Sequence, residues 1–141
     1  MKKIILTVLT LLFTISLTAF GDFIKGADYN IDYKRKVAGM ADTIHINFFT
    51  AKPSPATAEK IVMSHLREYG QRTKGKNIIG SAWFSPNGES GSFSKIRFTD
   101  TSASYVWINR TNRIVTFSAY VSYLKREKER RRIAVRNKNK S

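Results

Sequence analysis

The chain has no cysteine, which excludes disulfides and also a lipid anchor of the kind attached to an N-terminal cysteine. Small exported domains often rely on disulfides, because a short chain buries only a limited fraction of its surface. Here the core must come from side-chain packing alone. Nine Phe, six Tyr and two Trp supply the large buried areas needed. Beyond residue 20 no apolar run approaches the length of a membrane span. There is no internal repeat, and no linker long enough to divide the chain. Metal-ligand signatures are also missing, with no H-E-x-x-H and no clustered carboxylates. Neither a metal nor another cofactor is expected.

What is present begins with residues 1–21. Met1-Lys2-Lys3 is a short positive segment and Ile4 to Phe20 an apolar one, and Ala19-Phe20-Gly21 places small residues at −3 and −1 of a cut before Asp22. This is the pattern of a cleaved secretory signal. The apolar run of 17 residues includes Thr7, Thr10, Thr14, Ser16 and Thr18, so it is short and hydroxyl-rich for a retained anchor. The expected product is a periplasmic or secreted protein of a bacterial envelope, without a transmembrane span and held peripherally at most. Residues 22–124 then form one domain, and 125–141 a polybasic extension.

Charge separates those two parts. Residues 125–141 carry nine basic and two acidic side chains, and residues 22–124 carry fourteen and eight. More than half of the excess positive charge of residues 22–141 therefore lies in the last 17 residues. Lys125, Arg126, Lys128, Arg130, Arg131, Arg132, Arg136, Lys138 and Lys140 are the candidate polyanion-binding side chains. Tyr120 to Arg132 lacks Gly and Pro, and Glu127 precedes Arg131 by four residues in the favourable helical order. Tyr120, Tyr123 and Leu124 are expected to pin this helix to the domain, and 137–141 to fray. Ile133, Ala134 and Val135 are consecutive and form no stripe, so a membrane-inserting amphipathic helix is not expected. The partners implied are an anionic membrane surface, a cell-wall polymer, an envelope protein or a nucleic acid.

Within the domain, Ile31 and Tyr33 alternate with Asp32 and Lys34 as in an edge strand, with Lys34-Arg35-Lys36 following. Thr43 to Phe49 places Ile44, Ile46 and Phe48 on one face and His45, Asn47 and Phe49 on the other. Ser54 and Pro55 open a helix and Gly70 is expected to close it. Its stripe is Ala58, Ile61, Val62, His65, Leu66 and Tyr69. Strands are expected over 77–84, 93–99, 105–109 and 113–117, with turns at Pro86-Asn87-Gly88, 100–104 and 110–112. Asn109-Arg110-Thr111 reads as part of a turn. The fold class is α+β: one amphipathic helix on a mostly antiparallel sheet of about four to six strands, with a basic C-terminal helix or tail.

No catalytic residue is assigned. Gly70 to Lys76 fits G-x-x-x-x-G-K, but Asn77 replaces the magnesium-binding hydroxyl, and a helix precedes where a strand should. What remains of the motif is a basic cluster, Arg72, Lys74 and Lys76. His45 and His65 suit acid–base cleavage of RNA only if the fold brings them together. Gly88-Glu89-Ser90-Gly91 lacks the spacing of a nucleophile elbow. A secondary basic and aromatic surface is outlined by Phe93, Lys95, Arg97, Trp107, Arg110 and Arg113, the pairing that stacks and neutralises single-stranded nucleic acid. Buried aromatics with cations at the edge give the same pattern. The leading expectation is a non-enzymatic envelope-associated binding protein. Its rivals are a secreted nucleic-acid-binding protein or toxin-like ribonuclease, and an inhibitor or exclusion factor directed at an envelope protein.

Overall fold

A computed structural model of the chain describes residues 23–86 and 92–140. The leader at 1–21, most of the 86–88 turn and the Gly88–Gly91 segment lie outside the described residues. The element order is β1 (Tyr29–Lys34), β2 (Asp42–Phe48), α1 (Pro55–Arg72), β3 (Ile78–Phe84), β4 (Ser94–Ile96), β5 (Tyr105–Ile108), β6 (Arg113–Thr116) and α2 (Phe117–Lys140). Five of the six strands form the path β1-β2-β3-β5-β6. β4 and β5 share one edge of β3 end to end, β4 beside Ala82–Phe84 and β5 beside Ile78–Gly80. Only β2 and β3 are parallel, and α1 makes the crossover between them. The fold is α+β.

Local chemistry explains the elements. In β2, Ile44, Ile46 and Phe48 are fully buried while the residues between them are half-buried, the period-2 signature of a sheet covered on one side. The covering element is α1, whose Ala58, Ile61, Val62 and Leu66 are also fully buried. Ser54 starts α1 by accepting a hydrogen bond from the Thr57 N–H at 3.2 Å, with Pro55 at the first helical position.

The helix does not stop at Gly70. It continues to Arg72 and is closed by Thr73, whose N–H and hydroxyl both donate to the Tyr69 carbonyl at 2.8 and 2.6 Å. Gly70 instead lies inside the helix because the Trp107 indole packs directly on its backbone. A Cβ there would stand 2.3 Å from the ring.

The second side of the sheet explains β5. All four of its residues are buried. Tyr105 and Trp107 join the core with α1, and Val106 and Ile108 pack with Tyr120, Tyr123 and Val115. β5 is apolar throughout because α1 covers one face and the root of α2 the other. The strand-to-helix change falls at Thr116, whose hydroxyl accepts from the Ala119 N–H at 3.2 Å. From there α2 runs unbroken to Lys140, so the expected fraying is not seen over the described residues 137–140. Its interior lacks Gly and Pro, Arg130 and Arg132 pair with Glu127 and Glu129, and cations complement the dipole in its last turn. No helix among the described residues is long and apolar enough to cross a membrane.

An alanine in a helix interior ordinarily stabilises relative to glycine by about 1 kcal/mol. At Gly70 the sign should reverse, because the new methyl overlaps an indole held in the core. Gly70→Ala is expected to lower the unfolding free energy by about 2 kcal/mol, measured by urea denaturation.

Candidate polyanion-binding surface

The parallel pairing of β2 and β3 brings their N-terminal ends together. The antiparallel partners then deliver the C-terminal ends of β1 and β5 to that same end of the sheet, since Lys34 pairs Thr43 and Trp107 pairs Ile78. Cations far apart in the chain are collected there: Lys34, Arg35 and Lys36 at the end of β1 and beyond it, Arg72, Lys74 and Lys76 at the end of α1 and beyond it, and Arg110 and Arg113 at the β5–β6 turn. The root of α2 crosses the same end. A cleft of about 460 Å³ separates α2 from the loops, lined in part by Met40, Lys76, Arg110, Tyr123, Leu124, Lys128 and Arg131. A second of about 350 Å³ lies beside Arg35, Lys36, Arg72 and Lys76.

Lys76 forms the wall between them, and its role is structural. Its ammonium donates to the carbonyls of Lys36, Val37 and Met40 at 3.0, 3.3 and 3.1 Å and lies 3.3 Å from the Asp42 carboxylate. Asp42 is only 2% exposed. It also accepts from the Tyr33 hydroxyl and from the Lys36 N–H at 2.9 Å. Burial pushes the Asp42 carboxyl up, but the Tyr33, Lys36 and Lys76 donors outweigh it and hold the group below its ordinary value. Lys76 is therefore a clasp for the 35–41 loop and not a free anion ligand.

Every other carboxylate at this end is also taken by a cation. Glu68 pairs with Arg72 at 2.8 Å, and Arg72 lies over the Tyr69 ring. Glu127, only 20% exposed, holds Arg130 at 2.9 Å and Arg110 at 3.4 Å. The expected partner Arg131 is not used, because Glu127 turns toward the β5–β6 turn and Arg131 lines the cleft instead. Glu127 thereby ties the root of α2 to the domain. Lys34, Arg35, Lys36, Lys74, Lys128 and Arg131 have no ion-pair partner among the described residues. From Lys128 to Lys140 every side chain is exposed.

The secondary basic and aromatic set divides. Arg72, Lys74, Lys76, Arg110 and Arg113 belong to the end just described. Phe93, Lys95 and Arg97 lie on or beside β4, at the other end of β3, where Lys95 lies over the Trp83 ring at 5.6 Å. Trp107 is 3% exposed beneath Gly70 and offers no stacking platform. Tyr105 is buried too, its hydroxyl within hydrogen-bond reach of the Glu59 carboxylate at 2.6 Å and the Asp100 carboxylate at 2.9 Å. Of the two aromatics in this set, Trp107 is core and Phe93 is half-buried.

The histidines are on opposite sides of the sheet. His65 is on the buried face of α1, bonded to the Tyr29 hydroxyl at 2.8 Å and to Glu68 at 3.1 Å. His45 alternates away from buried Ile44 and Ile46 and packs beside Trp83. No acid–base pair is formed between them. No group of three metal-ligating side chains occurs among the described residues. Comparison with protein-family models, curated proteins and solved structures finds no match.

Sequence reasoning passed over the 35–41 loop. Its signal was present in Lys34-Arg35-Lys36 followed by Val37-Ala38-Gly39-Met40: cations, then apolar residues around a glycine with φ of +90°. What hid its importance was Lys76, forty residues away from Lys36, which gives the loop its shape.

Lys76→Met should leave Asp42 buried without its cation and the Lys36 and Met40 carbonyls without their donor. The expected loss is about 2 kcal/mol in urea unfolding, short of the full cost for a wholly buried pair because Lys76 is partly exposed. Burial also pushes His65 below the usual imidazole range, with Glu68 pulling partly back, and burial lowers His45 as well. The unfolded chain takes up these protons near pH 6.5 and the native chain only at lower pH. Stability from this source is complete above that value and is lost as the pH falls through the folded pKa values. The melting temperature is expected to drop as the pH falls below about 6.5, and His65→Gln to flatten the drop.

Proposed function

We propose that the chain is exported and acts as a non-enzymatic binding domain of the bacterial cell envelope, with Lys125–Lys140 engaging an anionic surface or partner. The observation that carries this reading is the form of the basic extension. It is an unbroken, exposed helix whose root lies among the domain's own cations. Residues 125–140 span about 24 Å of helix, which carries the basic extension outward from the cationic end of the domain. The leader-like residues 1–21 support an envelope location.

The energetics suit reversible attachment. A Lys or Arg near an anionic membrane contributes about 1 kcal/mol each, and such contacts are screened over about 8 Å at physiological salt. The Glu127–Arg110 pair is worth at most about 1 kcal/mol, but together with buried Tyr120 it sets the direction in which the helix leaves the domain.

The test uses the full chain and a variant with Lys128, Arg131, Arg136, Lys138 and Lys140 changed to Gln. Binding to anionic phospholipid vesicles and to anionic cell-wall polymer is measured across a salt series. The variant is expected to keep its melting temperature and to lose at least about tenfold in low-salt affinity, with a shallower salt dependence. Equal affinity for both proteins removes the proposed role of the tail.

A further inference from the structure

The loop between β1 and β2 presents its apolar side chains outward. Val37 is 71% and Met40 57% exposed, and Leu124 of α2, which lines the same cleft as Met40, is 45% exposed. Exposed apolar residues are common singly. These three are grouped at one end of the molecule and edged by cations. Lys34, Arg35 and Lys36 lead into the loop, and Arg110, Lys128 and Arg131 line or flank the cleft on its other side.

The backbone of the loop is the second observation. A peptide carbonyl entering a bilayer interface must exchange water for another donor or incur a cost of several kcal/mol. Here the Lys36, Val37 and Met40 carbonyls turn inward to the Lys76 ammonium, and the Met40 N–H donates to the Val37 carbonyl at 3.1 Å. Three carbonyls of the loop and the Met40 N–H are satisfied from within, and the Val37 and Met40 side chains face out. Apolar tips ringed by long cationic side chains match the bilayer boundary, where acyl chains lie beneath phosphates.

We infer that the 35–41 loop is a membrane-docking wedge: Val37 and Met40, with Leu124 beside them, enter the headgroup–acyl boundary of an anionic phospholipid bilayer while the surrounding Lys and Arg side chains pair with lipid phosphates. This rests on the envelope-binding reading and adds to it an apolar component that salt does not screen. The basic helix brings the domain to the surface, and the wedge gives it a fixed orientation there.

The absence of cysteine allows a single environment-sensitive label at Met40→Cys, with Lys60→Cys on the exposed face of α1 as the control position. With phosphatidylglycerol vesicles, a nitrobenzoxadiazole label at 40 should shift to the blue and be quenched by acyl-chain quenchers, and the label at 60 should not. The full chain carrying Val37→Ser and Met40→Ser should bind vesicles about tenfold more weakly. It should also lose the binding that persists at high salt, with its melting temperature unchanged. Vesicle binding with no spectral shift at 40, or with equal affinity for the double serine variant, overturns the wedge. A wild-type chain that binds cell-wall polymer but not vesicles also overturns the wedge and leaves the envelope reading standing. One that binds neither overturns both.

Discussion

One ammonium group organises the end of the molecule on which the functional reading depends. Lys76 Nζ gathers three carbonyls of the 35–41 loop and the buried Asp42 carboxylate into a single node. Asp42 opens β2 and Lys76 lies just before β3, so the node also closes the N-terminal ends of the parallel pair. An unpaired carboxylate at that depth would be costly, and a loop with unsatisfied carbonyls would be free to move. The clasp answers both needs. It explains why a cation inside a near-phosphate motif has no charge to spare for phosphate.

Around this node the topology does what local sequence cannot. Parallel pairing of β2 with β3 and antiparallel pairing elsewhere send four chain segments to the same end, each bringing cations. Carboxylates there are matched one by one, Asp42 with Lys76, Glu68 with Arg72 and Glu127 with Arg110 and Arg130. The remaining cations are left facing outward. The division into a neutralised interior shell and an unneutralised outer one is what gives the basic excess a location, where composition alone gave only its size.

Much of the fold was legible in the sequence because its signals were local. The Ser54-Pro55 start of α1, its apolar stripe, and the alternation of Ile44, Ile46 and Phe48 each depend on residues within a few positions. The errors came from contacts made across long separations. Gly70 looked like a helix terminator, as glycine usually does after an apolar stripe, because nothing nearby announced that Trp107 would press against it. For Trp107 the sequence left a stacking surface and a buried core both open, and α1 laid over it decided for core. Glu127 was paired by spacing with Arg131, whereas the β5–β6 turn supplied Arg110 as a partner from outside the helix.

The sequence by itself determined the α+β class, the position of the first helix and most strands, the concentration of positive charge at the C-terminal end and the lack of any disulfide framework. These follow from periodicity, capping chemistry and composition, which are properties of short stretches. Only the tertiary structure decided which cations stand free, which are consumed by buried carboxylates and carbonyls, and which aromatics are core. Those outcomes depend on pairs such as Lys76 with Lys36 and Gly70 with Trp107, whose members are separated by tens of residues. Their meeting is set by strand order and register, and no local pattern encodes that.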